Sequence, residues 1–312
     1  MKNRCLCCFK ELSNDEPYYW HKKCLKNFFG YQEMPEFDLK ESNVALYASG
    51  MLESKKSVTG VQSKMSLHYE KCETTSRLTL IGEPLGYILK PKPQEYPMAP
   101  ISEFIVMHMA RISKISVCPF GLLKMKDNEY AYISKRVDRK ENSKIHMEDF
   151  CQLSERLTED KYKSSYERCA KIIEKYSSIK KLDTVSLFER IVFSFITCNS
   201  DMHLKNFSLI EKKNGDIELS PAYDLLPAKL LVKDDNEDLA LTINGKKRNL
   251  RKGDFVKYGI SIGLDEKVIN RIINRFIGLK NEYVSIIDDS MLDADFKERF
   301  KTQLLINISR LS

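Results

Sequence analysis

The chain has 312 residues, 42% hydrophobic and 30% charged, and its 51 lysines and arginines against 44 aspartates and glutamates give a net charge of +7. This balance is typical of a globular protein and excludes a disordered or fibrous chain. The positive charges are spread along the sequence, which argues against direct nucleic-acid binding, and no apolar stretch is long enough to cross a membrane.

The first distinctive feature is a cysteine cluster near the N-terminus. Nine cysteines without an apolar leader favour a reducing, cytoplasmic location over a disulfide framework. The Cys-x-x-Cys and His-x-x-Cys spacing is typical of a tetrahedral zinc site, whose ligands would be Cys5, Cys8, His21 and Cys24. Reduced structural cysteines are the alternative, and Cys7 is a thiol that such a site does not need.

The remaining elements predict a β-rich part followed by an α-rich part. Between Ser57 and Lys135, short apolar runs separated by glycine and proline predict strands, with one helix beginning at Ser102. Helical periodicity dominates from about Glu148, and a hairpin turns at Asn214-Gly215. The main predicted helices cover residues 166–176, 186–199, 267–281 and 295–309. The predicted fold class is therefore α+β.

The polar segment between the second of these helices and the hairpin carries the most specific chemistry. Asp201 and Asn206 have the Asp-x-x-x-x-Asn spacing of a kinase catalytic loop, where the Asp accepts the substrate hydroxyl proton and the Asn binds magnesium. After the hairpin, Asp224 adds a second carboxylate for the metal, although no Asp-Phe-Gly is present. Upstream, Lys90 and Glu103 have the arrangement of a phosphate-pairing lysine and its acidic partner.

Five motifs, in order over residues 57–224, resemble the HipA-like serine/threonine kinases, toxins of bacterial toxin–antitoxin modules with a two-lobed kinase-like fold. The motifs are Val-Thr-Gly-Val-Gln-Ser-Lys64, Ile-Leu-Lys90-Pro, Lys135-Arg-Val-Asp138-Arg, Asp201-Met-His-Leu-Lys-Asn206-Phe and Pro-Ala-Tyr-Asp224. The residue pattern and the resemblance together predict three segments: an N-terminal Cys/His-containing segment (1–50), a β-rich nucleotide-binding lobe (51–138) and a mainly α-helical catalytic lobe (139–312).

The resemblance also assigns roles to individual residues. It implies that Asp201 is the catalytic base and that Asn206 and Asp224 bind Mg²⁺. The residues implied to bind ATP are Thr59, Gly60, Val61, Gln62, Ser63, Lys64, Lys90, Lys135, Arg136, Val137, Asp138, His203, Lys205 and Tyr223. Similar kinases phosphorylate themselves in the phosphate loop, which predicts autophosphorylation at Ser57 or Thr59.

Only 56 residues precede the phosphate loop, and this resembles the short HipT branch of the family. The implied partners are a HipB-like DNA-binding antitoxin, a HipS-like small protein and a protein substrate such as an aminoacyl-tRNA synthetase. The implied cofactors are ATP and Mg²⁺, with Zn²⁺ at the cysteine cluster. Two alternatives remain open at this point: a non-catalytic adaptor or corepressor, and a small-molecule phosphotransferase.

Overall fold

The computed structural model describes residues 3–13, 16, 18–36, 64–71, 76–79, 86–125, 128–140 and 143–312. The chain divides into two compact units, the first comprising residues 1–104 and 118–144 and the second residues 105–117 and 145–312. The N-terminal segment therefore belongs to the same compact unit as the predicted β-rich lobe. The division into three segments stays a prediction.

A five-stranded antiparallel sheet is the centre of the first unit. Its strands are β1 (Met65–Lys71), β2 (Ser76–Thr79), β3 (Tyr87–Lys90), β4 (Phe120–Lys124) and β5 (Tyr130–Lys135), in the spatial order β2-β1-β3-β5-β4. Lys90 at the end of β3 is directly opposite Tyr132 of β5. The helix α1 (Lys22–Phe29) precedes the sheet, and the short strands β6 (Arg139–Lys140) and β7 (Ser143–Lys144) follow it.

The strand β4 was not predicted from the sequence. Four of its residues in a row are buried, so it lacks the alternation of buried and exposed residues that marks a strand with one solvated face. Trp20 accounts for part of this burial, because its indole ring packs directly against Gly121 of β4. A Cβ atom added to Gly121 would lie only 2.4 Å from this ring. The indole N–H also donates a hydrogen bond to the Leu122 carbonyl at 2.9 Å.

The helix α2 (Ala99–Ile112) begins three residues before the predicted start at Ser102. Ser102 does not cap the helix: its hydroxyl donates to the Ala99 carbonyl at 3.0 Å, inside the first turn. Every residue from Ala99 to Ala110 is buried, and only Arg111 and Ile112 at the C-terminal end are exposed. The sequence spacing predicts one apolar face that includes Ile112; in the structure every face is buried as far as Ala110, and Ile112 is exposed.

The second unit contains a three-stranded sheet and most of the helices. The sheet has the order β10-β9-β8, from β8 (Met147–Asp149), β9 (Ser208–Glu211) and β10 (Ile217–Leu219). The helices are α3 (Phe150–Leu153), α4 (Tyr166–Tyr176), α5 (Lys180–Ile196), α6 (Ala228–Leu231), α7 (Lys252–Ser261), α8 (Glu266–Gly278), α9 (Lys280–Asp288) and α10 (Ala294–Leu311). The predicted hairpin is confirmed, since β9 and β10 pair antiparallel around it.

Two helix boundaries differ from the prediction for identifiable reasons. The helix α5 begins at Lys180 rather than Ser186, because Asp183 and Ser177 form a hydrogen-bonded start: the Ser177 hydroxyl donates to the Asp183 carboxylate at 2.6 Å and accepts from the Ile179 N–H. The single helix predicted over residues 267–281 is two helices, α8 and α9, which meet at Leu279.

Across the described part of the chain, none of the helices combines the length and the apolar character needed to cross a membrane.

Candidate active site

The loop that leaves α5 is folded around the backbone carbonyl of Asp201. That carbonyl accepts hydrogen bonds from the His203 N–H at 2.8 Å and from the Asn206 side-chain amide, also at 2.8 Å. The Asn199 side-chain oxygen accepts from the Asp201 N–H at 3.1 Å. A 3₁₀ turn at Leu204–Asn206 then leads into β9. These local bonds hold the Asp201 and Asn206 side chains in one short loop.

The hydrogen bond to Asp201 has a chemical consequence for Asn206. Because the amide nitrogen of this buried side chain is used by the Asp201 carbonyl, the amide oxygen is the atom that Asn206 can offer to a cation. Amide and carboxylate oxygens are the kind of hard donors that Mg²⁺ prefers. The donor chemistry of Asn206 and Asp224 therefore fits a magnesium ion.

Tyr223 connects the Asp224 segment to the Asp201 loop. Its hydroxyl donates to the Lys205 carbonyl at 3.1 Å and forms a 2.6 Å hydrogen bond with the Ser208 hydroxyl. Removal of the ring from water raises the pKa of the Tyr223 phenol, so the phenol is uncharged at neutral pH. Asp224 follows directly, with a φ of 55° in the left-handed region that non-glycine residues rarely adopt. The tertiary structure thus brings these two predicted segments together.

Arg190 supports the same segment from α5 and was missed in the sequence. This buried guanidinium donates to the Ser220 carbonyl, just before the Pro-Ala-Tyr-Asp224 motif. Burial lowers the pKa of Arg190 to about 10, which still leaves it charged at neutral pH. Nothing in the local sequence distinguishes Arg190 from an ordinary helix-surface arginine.

Tyr162 is the second residue that sequence reasoning missed. Its hydroxyl donates a short hydrogen bond to the Asp201 carboxylate, and its ring forms a T-shaped contact with the His203 imidazole, with 4.9 Å between ring centres. Partial removal of the phenol from water, followed by the nearby Asp201 charge, raises the pKa of the Tyr162 phenol and keeps it protonated as a donor. The His203 Nε2 atom lies 4.0 Å from the Asp201 carboxylate. No motif could have revealed a contact across 39 residues.

Lys205, implied by resemblance to bind nucleotide, has a defined partner in the second unit. Its ammonium donates to the Asp149 carboxylate at 2.7 Å. Asp149 is also the N-cap of α3, where it accepts the Gln152 N–H at 2.9 Å. In this structure the Lys205 charge is therefore balanced by Asp149.

In the first unit, Lys90 and Glu103 form the ion pair suggested by the sequence. The Lys90 ammonium donates to both carboxylate oxygens of Glu103, at 2.7 and 2.8 Å. Their side chains are 4% and 0% exposed, so the pair is almost fully removed from water. The ammonium also lies 5.3 Å from the centre of the Tyr132 ring. Burial of this kind fixes the lysine in one position.

Four of the residues implied to bind ATP lie at the end of β5 and directly after it: Lys135, Arg136, Val137 and Asp138. Asp138 accepts hydrogen bonds from Arg136, at 2.9 and 2.8 Å, and from Arg139. Burial alone would raise the pKa of Asp138, but the two guanidinium groups outweigh it and the net pKa is lowered. Lys135 is exposed with its ammonium 5.9 Å from the Tyr87 ring centre, and Val137 is half-buried.

The predicted phosphate loop is mostly outside the described residues. This applies to Ser57, Thr59, Gly60, Val61, Gln62 and Ser63. Lys64 is described, and it is an exposed residue immediately before β1. The roles given to these residues, including autophosphorylation, stay predictions.

Comparison with known proteins identifies the family. Residues 56–281, well over half of the chain, match the family described as HipA-like C-terminal domain. The chain belongs to this family. A relative from Haemophilus influenzae named "Putative kinase" is 29% identical over 81% of this chain and 82% of its own length. "Putative kinase Y4dM" from Sinorhizobium fredii is 30% identical over 68% of this chain and 55% of its own length.

Solved structures show the same fold. The chain superimposes on HipA of Shewanella oneidensis, determined in complex with HipB and its operator DNA, with a TM-score of 0.70 and 22% identity, over 89% of this chain and 72% of that one. The Helicobacter pylori proinflammatory kinase CtkA gives a TM-score of 0.55 at 18% identity, over 75% and 90% of the two chains. The predicted α+β fold of the HipA-like kinases is confirmed.

Proposed function

We propose that this HipA-like chain is an ATP- and Mg²⁺-dependent protein serine/threonine kinase, with Asp201 as the catalytic base. The observation that carries the proposal is the arrangement in the second unit, where Tyr223 fastens the Asp224 segment to the loop that contains Asp201 and Asn206. Phosphoryl transfer depends on positioned charge more than on covalent chemistry, and the loop together with the segment fastened to it carries two carboxylates and one amide.

In the proposed reaction, the hydroxyl oxygen of a substrate serine or threonine forms a bond to the γ-phosphorus of ATP. The hydroxyl proton moves to the Asp201 carboxylate, and the bond between the γ-phosphorus and the β–γ bridging oxygen breaks, which releases ADP. Magnesium, held by the Asn206 amide oxygen and the Asp224 carboxylate, would neutralise phosphate charge. Lys90, kept in place by Glu103, would pair with the α- and β-phosphates.

The cellular role is proposed from the family. We infer a growth-arresting toxin of a type II toxin–antitoxin module, of the short HipT kind, acting in the cytoplasm on a protein such as an aminoacyl-tRNA synthetase. The HipA neighbour from Shewanella oneidensis was solved with HipB and DNA, which supports a HipB-like antitoxin as a partner of this chain too. The HipS-like small protein is proposed from the sequence resemblance alone.

The test is incubation of the purified chain with γ-labelled ATP, Mg²⁺ and a cell lysate, followed by mass spectrometry of labelled proteins. We expect label on serine or threonine of a discrete protein, and none when Mg²⁺ is omitted. Label confined to small molecules would identify a small-molecule phosphotransferase instead. No transfer to any acceptor, from protein that binds ATP, would support the non-catalytic adaptor and contradict the proposal.

Autophosphorylation of the phosphate loop gives a separate prediction. A phosphate at Ser57 or Thr59 would add nearly two negative charges and three acceptor oxygens beside the ATP phosphates, so we expect it to weaken nucleotide binding. Mass spectrometry of the chain expressed in a host with ample ATP should find phosphate on one of these residues in the wild type and none in Asp201→Asn. Phosphate only at Ser54, or an unmodified loop in active protein, would contradict this prediction.

Tyr162 leads to a prediction of higher activity. Its hydroxyl donates to the carboxylate that must accept the substrate proton, so the phenol competes with the substrate hydroxyl for this acceptor. A hydrogen bond to a charged group contributes about 1.5–3 kcal/mol, but in the variant water would replace part of this interaction. Tyr162→Phe should therefore raise kcat/KM for a protein substrate by up to roughly tenfold. Tyr18→Phe, at an exposed tyrosine, is the matched control. A loss of activity in Tyr162→Phe would show that the phenol instead positions Asp201.

A further inference from the structure

The proposed phosphoryl transfer uses no group from the cluster formed by Cys5, Cys8, His21 and Cys24. In the structure these four residues converge, and their ligand atoms all lie within 4.8 Å of one another. The Cys8 sulfur is 3.3 Å and the Cys24 sulfur 3.8 Å from Nδ1 of His21. A tetrahedral zinc ion with ordinary bond lengths separates its sulfur and nitrogen ligands by about 3.5–3.8 Å. The cluster therefore has the dimensions of a zinc site.

The backbone explains how Cys5 and Cys8 come together. The chain turns sharply through residues 6–8, where the Phe9 N–H donates to the Cys5 carbonyl at 2.9 Å and the Cys5 N–H donates to the Lys10 carbonyl at 2.8 Å. Phe9 adopts a φ of 62° to complete the turn. Such a conformation is unfavourable for an aromatic residue, so the turn requires a compensating interaction.

His21 and Cys24 come from the start of α1, three residues apart and hence on one face of the helix. The Nε2 atom of His21 is 3.0 Å from the Glu11 carbonyl oxygen. A carbonyl can only accept, so Nε2 carries the proton and Nδ1, which faces the sulfurs, has a free electron pair. A histidine held through its other nitrogen by a backbone carbonyl is the usual arrangement of a metal ligand.

We propose that Cys5, Cys8, His21 and Cys24 bind one structural zinc ion that fastens the N-terminal segment to the sheet of the first unit. Three thiolates and an imidazole favour zinc over harder cations, and four protein ligands leave no open position for catalysis. Cys7 lies next to these residues but outside the set of four ligands.

The sheet contacts of this segment start directly beside the proposed ligands. Leu6, between Cys5 and Cys8, accepts from the Leu122 N–H of β4 at 2.8 Å, and Trp20, next to His21, donates to the Leu122 carbonyl. The Trp20 side chain is fully buried. Zinc would thus tie together the two pieces of chain that form hydrogen bonds with Leu122 of β4.

Metal content is the first test. The full chain, purified in reducing buffer without chelator, should contain about one zinc per molecule by elemental analysis. Cys7→Ser should keep this zinc, whereas Cys8→Ser and His21→Ala should retain only traces. Wild-type protein without zinc, or full zinc in Cys8→Ser, would overturn the proposal and leave the residues as reduced packing cysteines. Equal loss in Cys7→Ser would refute the assignment of the four ligands.

Trp20 provides the second test because it is the only tryptophan in the chain. Removing zinc from the wild-type protein with a strong chelator should shift the tryptophan emission to longer wavelength, and adding Zn²⁺ back should reverse the shift, while Mg²⁺ should not. Unchanged emission after complete zinc loss would show that zinc does not hold Trp20 against β4. Asp201→Asn should respond like the wild type, so the zinc proposal can fail or succeed independently of the proposed kinase reaction.

Discussion

Asp201→Asn is expected to reduce phosphoryl transfer by about 10²–10⁴-fold, the range that a positioned general base contributes. The asparagine amide is nearly the same size as the carboxylate but cannot accept the substrate proton. The loop itself should persist, because it is organised around the Asp201 backbone carbonyl rather than its side chain. The measurement is the steady-state rate of label transfer to a protein substrate, at saturating ATP and Mg²⁺.

Asp295→Asn is the matched control for this variant. It makes the same chemical change at a side chain that is 80% exposed in the first turn of α10, and it should keep the wild-type rate. Circular dichroism and thermal unfolding should show that both variants remain folded. An Asp201→Asn enzyme that keeps most of the wild-type rate would mean that another group accepts the proton.

Glu103→Ala is expected to have the largest effect on stability, lowering the free energy of unfolding by about 3–5 kcal/mol. The reason is that it leaves the Lys90 charge buried without its carboxylate partner. Trp20 lies in the same unit as this pair, so urea unfolding followed by tryptophan fluorescence reports on the region that is changed. The half-exposed pair of Lys92 and Glu129 provides the control, and Glu129→Ala should have little effect.

The double variant Lys90→Met with Glu103→Leu separates stability from function. Replacing both partners of a buried ion pair by apolar side chains of similar size is often neutral or stabilising, so we expect stability close to that of the wild type. The variant should nevertheless transfer no phosphate, because the cation that pairs with the nucleotide phosphates is gone. A stable double variant with wild-type activity would show that Lys90 has a structural role only.

Elements set by local interactions were predictable from the sequence. The helix over residues 166–176 was predicted with its observed bounds, because its 3.6-residue period and the Ser165 cap are encoded within a few turns of chain. The hairpin between β9 and β10 followed from Asn214-Gly215, where Gly215 has a φ of 83°. The spacing of Asp201 and Asn206 was equally local, since the loop that holds them closes on itself.

Interactions between distant parts of the chain were decided by the tertiary structure. The strand β4 has no readable alternation, because Trp20, about a hundred residues earlier, covers Gly121 on one side of it. The contact of Tyr162 with Asp201 and the support of Ser220 by Arg190 likewise join residues 39 and 30 positions apart. Residue type and spacing determined which chemical groups this protein has. Long-range packing determined which of these groups are in contact. A contact between distant residues depends on how the elements pack together, so it leaves no periodic signal in the sequence.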